Sequence, residues 1–99
     1  MAQIRWTDYA VLDLKDIFDY IAKDSRNYAY HYTKKLQEKT KILKDNPHLG
    51  RKVPEIDKDE IRELVEGNYR IIYKTISKDQ IDIISVFHSA RILRIDERI

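Results

Sequence analysis

The spacing of apolar residues changes period once along this chain, and that change limits the folds open to it. Ala10, Leu14, Ile17, Phe18 and Ile21 fall at i, i+4, i+7, i+8 and i+11, which is one face of a helix. Thr7 stands where a helix cap belongs, with Asp8 in the first turn near the positive end of the helix dipole. Asp13, Lys15, Asp16 and Asp19 are expected mainly on the outer face. The polar run Asp24-Ser25-Arg26-Asn27 ends this helix and can cap another. A second helix is expected over about residues 28–45, where Ala29, Tyr32, Thr33, Leu36, Thr40 and Leu43 recur at spacings of three to four. Pro47 closes the pattern, since the residue before a proline is steered out of helix.

From Ile61 onward the period is that of strands. Residues 61–66, 69–76 and 81–88 read as three strands, the first two joined by the hairpin signal Gly67-Asn68. The last, Ile-Asp-Ile-Ile-Ser-Val-Phe-His, is apolar on both faces over most of its length and is expected to be central. Residues 4–7 form a short apolar start, read as a strand, with Trp6 beneath the first helix. Residues 46–59 read as a long loop, and residues 89–99 as a short helix or an irregular tail. The expected fold is α+β: an N-terminal strand, an antiparallel two-helix hairpin and a three-stranded antiparallel meander, in one domain over residues 1–99.

With no Cys among 99 residues, disulfide frameworks, thiol nucleophiles and Cys-based zinc sites are excluded. The composition suits a reducing cytoplasm, and the first residues carry no apolar signal core. The formal charge of +2 hides strong segregation. Residues 26–52 hold eight basic and two acidic groups, whereas residues 53–66 hold two and six. Such blocks point to charged partners or to self-solvating helices.

No phosphate-binding loop, dinucleotide fingerprint or metal spacing occurs, and His31, His48 and His88 are far apart in sequence. Nothing here calls for a cofactor or a metal. The remaining polar set is Arg51 and Lys52 after Gly50, Glu55 after Pro54, Arg70 at the start of the middle strand, and His88, Arg91 and Arg94 after the last. In a meander, Arg70 and His88 fall near one end of the sheet. A tight turn pairing Ile76 with Ile81 sets Arg70 opposite Phe87 and His88 opposite Tyr69, while a one-residue slip sets Arg70 and His88 on the same face. If they share a face, Glu55 or His88 can act as general base and Arg70 can stabilise phosphorane charge, as in metal-independent RNA cleavage. If they do not, the same residues form a ring of salt bridges. Seven Tyr residues can stack on bases, but Tyr20, Tyr32, Tyr69 and Tyr73 fall near apolar faces and are expected at the rim of the core. The lysines of the second helix can contact phosphates or simply solvate its outer face.

In order, the chain carries Ile4-Arg5-Trp6-Thr7, Asp13-Leu14 with Tyr20-Ile21-Ala22, Asn46-Pro47-His48-Leu49-Gly50-Arg51, Val53-Pro54-Glu55, Ile61-Arg62-Glu63-Leu64, Tyr69-Arg70-Ile71-Ile72-Tyr73 and Val86-Phe87-His88-Ser89-Ala90-Arg91. This series resembles toxins of the RelE/ParE superfamily of bacterial type II toxin–antitoxin (plasmid-stabilisation-like) modules. The resemblance implies a cytoplasmic growth-arresting toxin neutralised by an antitoxin encoded beside it, whose flexible segment wraps the toxin. Operator DNA is then engaged only through the antitoxin, and no membrane is involved. Lys34, Lys35, Arg51, Lys52, Arg91 and Arg94 are the expected contacts for an acidic antitoxin segment or for the target.

The superfamily holds two mechanisms. RelE-like members, including the YoeB type, cleave mRNA, mostly on the ribosome; the YoeB type does so with a loop Glu, a strand Arg and a late His. Glu55, Arg70 and His88 occupy comparable places and are the catalytic set if this chain is RelE-like. ParE-like members inhibit DNA gyrase. The absence of any Tyr after Tyr73, the continuation from Arg91 to Ile99, and the Gly-Arg-x-Val-Pro-Glu and Phe-His-Ser-Ala-Arg pieces resemble the ParE branch, which is the favoured expectation.

Overall fold

The computed structural model describes residues 1–91 and 98–99 of the chain. Strand β1 (Gln3–Trp6) leads through Thr7 into helix α1 (Asp8–Ala22). The Thr7 hydroxyl has two tasks: it accepts from the Ala10 N–H at 3.2 Å, capping the helix, and donates to the Ile83 carbonyl at 2.8 Å, tying that cap to the sheet. Helix α2 (Arg26–Lys39) follows α1 after a link of three residues, with the Ser25 hydroxyl accepting from the Tyr28 N–H at 3.1 Å. The helical hairpin is therefore set by the polar run that the sequence placed between the two apolar stripes.

The second helix does not continue as α to Asp45. It tightens into a 3-10 segment over Thr40–Lys44. The Thr40 hydroxyl donates to the Gln37 carbonyl at 2.7 Å, and the Thr40 N–H is shared between the carbonyls of Gln37 and Glu38. A β-branched residue bonding back into the preceding turn has this tightening effect. Leu43 remains fully buried through it.

Strands β2 (Arg51–Lys52), β3 (Ile61–Glu66), β4 (Tyr69–Ser77) and β5 (Gln80–His88) complete a five-stranded sheet in the order β1-β5-β4-β3-β2. β1 runs parallel to β5, and the other pairs are antiparallel. The meander matches the pattern of apolar residues, and β5, expected to be central, is an interior strand between β1 and β4, with β4 in the middle. β2 corrects the reading of residues 46–59 as loop throughout. It stays two residues long because Pro54, which lacks an N–H, cannot extend a ladder. Beyond Val53 the chain turns back, with the N–H groups of Ile56 and Asp57 donating to the Val53 carbonyl.

Two irregularities set the register between β4 and β5. Ser77 pairs with Gln80 and Thr75 with Ile81, which leaves Ile76 extra; Tyr73 then pairs with Ile83 and Ile72 with Ser85, which leaves Ile84 extra. One bulge on each strand cancels the other, and the far end regains the register a tight turn alone would give. Tyr69 therefore lies opposite His88, and Arg70 opposite Phe87.

The helices cover one face of the sheet. Beneath them lies the main core, which includes Ala10, Ile17, Leu36, Leu43, Leu64, Ile71, Tyr73, Ile81, Ile83 and Val86, with Trp6 partly buried against it. The opposite face carries a smaller cluster of Val53, Ile61, Ile72 and Ile84, flanked by Ile56, Phe87 and Ile99. Among the described residues no helix is long and apolar enough to cross a membrane. Within the tail expected over residues 89–99, residues 92–97 lie outside the described residues.

Candidate functional site

Neighbouring residues of a strand point to opposite faces. Tyr69 belongs to the helix-covered face, so Arg70 emerges on the other, beside the smaller core. Glu63 pairs with Ile72 on β4 and with Arg51 on β2, while Val65 is the direct partner of Arg70. Glu63 and Arg70 are thus diagonal cross-strand neighbours, and Glu63 and Arg51 are direct ones.

From this placement follows an alternating chain of charges: Arg51, Glu63, Arg70, Glu55. Both carboxylate oxygens of Glu63 accept, one from Arg51 Nε and the other from Arg70 Nε. The two remaining Arg70 nitrogens reach Glu55 as a fork, Nη1 to Oε2 at 2.7 Å and Nη2 to Oε1 at 2.9 Å. Every guanidinium nitrogen of Arg70 is therefore engaged, and its Cζ lies 5.1 Å from the centroid of the Phe87 ring. Burial falls off outward, since the Glu63 side chain is 0% exposed, Arg70 10%, Glu55 46% and Arg51 63%. The hydrogen bonds from Arg70 hold the Glu55 carboxyl far below the usual range, at about 2. The bonds to Glu55, and after them those to Glu63, raise the affinity of Arg70 for its proton against the opposing effect of burial.

His88 is on the opposite side of the sheet. Its ring meets that of Tyr69 edge-on, with centroids 5.4 Å apart, and its Nδ1 accepts from the Ala90 N–H at 3.1 Å. Of the residues expected to share a catalytic site, the fold brings Glu55 and Arg70 together and sets His88 across the sheet from them. Glu55 and Arg70 are locked as each other's partners, and Glu63 completes the set.

The expected contact residues sit on separate elements. Lys34 lies over the Tyr30 ring at 5.8 Å, and Lys35 is 3.5 Å from Glu66, both on the exposed side of α2. Arg51 and Lys52 form the sheet's outer edge, where Lys52 is held by Asp59 at 3.3 Å and Asp57 at 3.6 Å. Arg91 is exposed just after β5 and donates its N–H to the His88 carbonyl. Arg94 lies outside the described residues.

Several structural roles differ from expectation. Glu63, the hub of the charge chain, was absent from the expected set, although an acid alternating with Ile61 and Val65 is a visible anomaly on a core-facing strand. Asp13 does not serve as outer-face solvation. Its carboxylate accepts from the Ser85 hydroxyl and the Val86 N–H, both at 3.0 Å, and from Arg98 at 2.6 Å, covering β5 where β1 has ended. Tyr73 is not at the rim but fully buried, with its hydroxyl accepting from the Gly50 N–H at 2.9 Å and donating to the Pro47 carbonyl at 2.8 Å. Tyr20 moves the other way and is 69% exposed. A cleft also opens between the end of α2 and the sheet edge, with Ile42, Leu49, Arg51 and Val65 in its lining.

A helical hairpin laid on one face of a mostly antiparallel sheet has a counterpart among solved structures. A chain of the "Chromosomal ParDE TA system from P. aeruginosa" superposes with a TM-score of 0.72 at 22% identity, covering 89% of this chain and 96% of that one. The two chains share one fold. The sequence model described as "ParE toxin of type II toxin-antitoxin system, parDE" matches residues 4–93, and this chain belongs to the ParE toxin family. No curated protein matches the sequence.

Proposed function

We propose that this ParE-family toxin arrests growth by binding and inhibiting DNA gyrase in the bacterial cytoplasm, and that a cognate antitoxin neutralises it. The single observation that carries the choice over RNA cleavage is the state of Arg70. Each of its three guanidinium nitrogens donates within the protein, and its forked bond keeps the Glu55 carboxylate ionised and occupied. A general base with a value near 2 is poorly matched to neutral pH. His88, the alternative base, faces the other side of the sheet. Such a set supports a rigid binding protein better than a nuclease.

The antitoxin contacts in this reading are Lys34 and Lys35 on α2, Arg51 and Lys52 at the sheet edge, and Arg91 and Arg94 after β5. Acidic residues of a segment that folds as it binds would pair with them. The test is to express the chain alone and follow plasmid supercoiling and mRNA integrity in parallel, then to repeat the supercoiling assay with purified gyrase. Loss of supercoiling with intact mRNA is expected. Normal supercoiling with mRNA cut within codons overturns the gyrase reading in favour of a RelE-like endoribonuclease.

A further inference from the structure

Aromatic rings form a continuous row across one end of the molecule. Tyr28 stacks on Tyr32 along α2 with centroids 5.8 Å apart. Tyr32 meets Tyr69 at the start of β4, also at 5.8 Å, and Tyr69 meets His88 at the end of β5 at 5.4 Å. The inner rings serve the fold: Tyr32 and Tyr69 pack against the main core, and the Tyr32 hydroxyl closes over the Gly67 turn. The outer ring does not, since Tyr28 is 58% exposed and adds little to core burial. The row is flanked by cations. Lys35 stands on α2, 3.5 Å from Glu66, and the Arg91 N–H donates to the His88 carbonyl at 3.0 Å, which sets Arg91 at the end of the row. Helix α2 also belongs to the most basic segment of the chain, net +6 over residues 26–52.

We infer that the row from Tyr28 through Tyr32 and Tyr69 to His88 is a stacking platform for single-stranded nucleic acid, with Lys35 and Arg91 contacting its phosphates. Aromatic faces combined with flanking cations are what unpaired bases on a charged backbone require, and a duplex hides the base faces such a row would engage. The charge of the surrounding segment excludes a basic ligand. Stacking and phosphate contact do not by themselves distinguish RNA from DNA. This site lies on the face of the sheet opposite Glu55 and Arg70, so it binds without cleaving; it needs no contact with gyrase, and it shares Lys35 and Arg91 with the antitoxin contacts proposed above.

The test uses the full chain and labelled oligo(U) and oligo(dU) of about 12 nucleotides, within the ~4–16-nucleotide span of known single-strand sites. Binding is followed by fluorescence anisotropy at several salt concentrations. Tyr28→Ala is expected to weaken binding about fivefold or more. Tyr30→Ala, an equally exposed tyrosine off the row, is the control and should leave binding unchanged. Arg91→Ala should lower the slope of log affinity against log salt by about 0.7, the value for one single-strand phosphate. Preference for oligo(U) would add recognition of the 2′-hydroxyl to the same platform, and equal binding would assign it to stacking alone. Three results overturn the inference: no saturable binding at low salt, equal loss from Tyr28→Ala and Tyr30→Ala, or competition by polyglutamate as effective as by the oligonucleotide. Saturable binding of a proline-rich peptide to the row, with none of the oligonucleotides, would reassign it to protein recognition.

Discussion

Arg70 holds two carboxylates whose surroundings differ, and that contrast can be measured. Glu63 is wholly buried, so its charge is balanced only by Arg70 and Arg51, whereas nearly half of the Glu55 side chain meets water. Glu63→Gln keeps the shape but turns an amide donor toward one of two guanidinium donors and leaves Arg70 buried with half its counter-charge. Breaking a buried pair from one side costs about 3–5 kcal/mol. Glu55→Gln removes a pair that solvent screens, and about 1 kcal/mol is expected. In a domain of this size each kcal/mol moves Tm by about 4–8 °C, so Glu63→Gln should lower it by at least ~12 °C. Urea unfolding read by far-UV circular dichroism and by the fluorescence of Trp6, the single tryptophan, gives both values. The double variant Glu63→Met/Arg70→Met should recover most of the loss, because an apolar pair of similar volume avoids the desolvation of both charges. If Glu63→Gln costs no more than Glu55→Gln, or if the double variant is worse than either single one, the assignment of Glu63 as the buried hub is wrong.

Three further outcomes follow from the same geometry. Because the folded-state value of Glu55 is depressed to about 2 from 4.5, its ion pair contributes fully above about pH 4.5 and is lost as pH falls toward 2; the stability gap between wild type and Glu55→Gln should therefore close over that range in urea titrations. Gly50→Ala would place a Cβ 2.5 Å from the Glu63 carbonyl and 2.7 Å from the Tyr73 hydroxyl; a loss of about 1–3 kcal/mol is expected by thermal unfolding, since backbone stands on one side of the clash. Tyr73→Phe would leave the Gly50 N–H and the Pro47 carbonyl without their partner, costing about 1–3 kcal/mol and speeding hydrogen exchange at Gly50.

Much of the fold was legible because local signals agreed with one another. The helical stripe from Ala10 to Ile21, the cap at Thr7 and the turn at Gly67-Asn68 each named a single structure, and each occurs. What was not legible depended on contacts between distant parts of the chain. β2 exists only because Arg51 and Lys52 meet Glu63 and Arg62, and no propensity of a two-residue segment announces that. Asp13 reads as one of several acids on a charged helix; only the end of β1 leaves β5 with an N–H for it to satisfy. Tyr73 and Tyr20 sit in similar apolar patterns, but one lies on a central strand and the other near a helix end, so burial parts them.

The relation between Arg70 and His88 shows how such long-range terms decide chemistry. Sequence left two registers open, one with the pair on a common face and one without. A single bulge between β4 and β5 would have shifted the pairing by one and joined them. The chain carries two, at Ile76 on one strand and at Ile84 on the other, and the second undoes the first. Ile84 supplies the smaller core on the far side of the sheet, and that core walls in Arg70, Glu63 and Phe87. The packing that makes Arg70 a structural anchor is thus the same packing that keeps His88 away from it. Removing the second bulge alone, by deleting Ile84, should shift the end of β5 by one residue and strip the far core of a buried side chain at the same stroke. Assembly of a Glu–Arg–His set in this fold therefore conflicts with its stability, and a protein-binding role carries no such conflict.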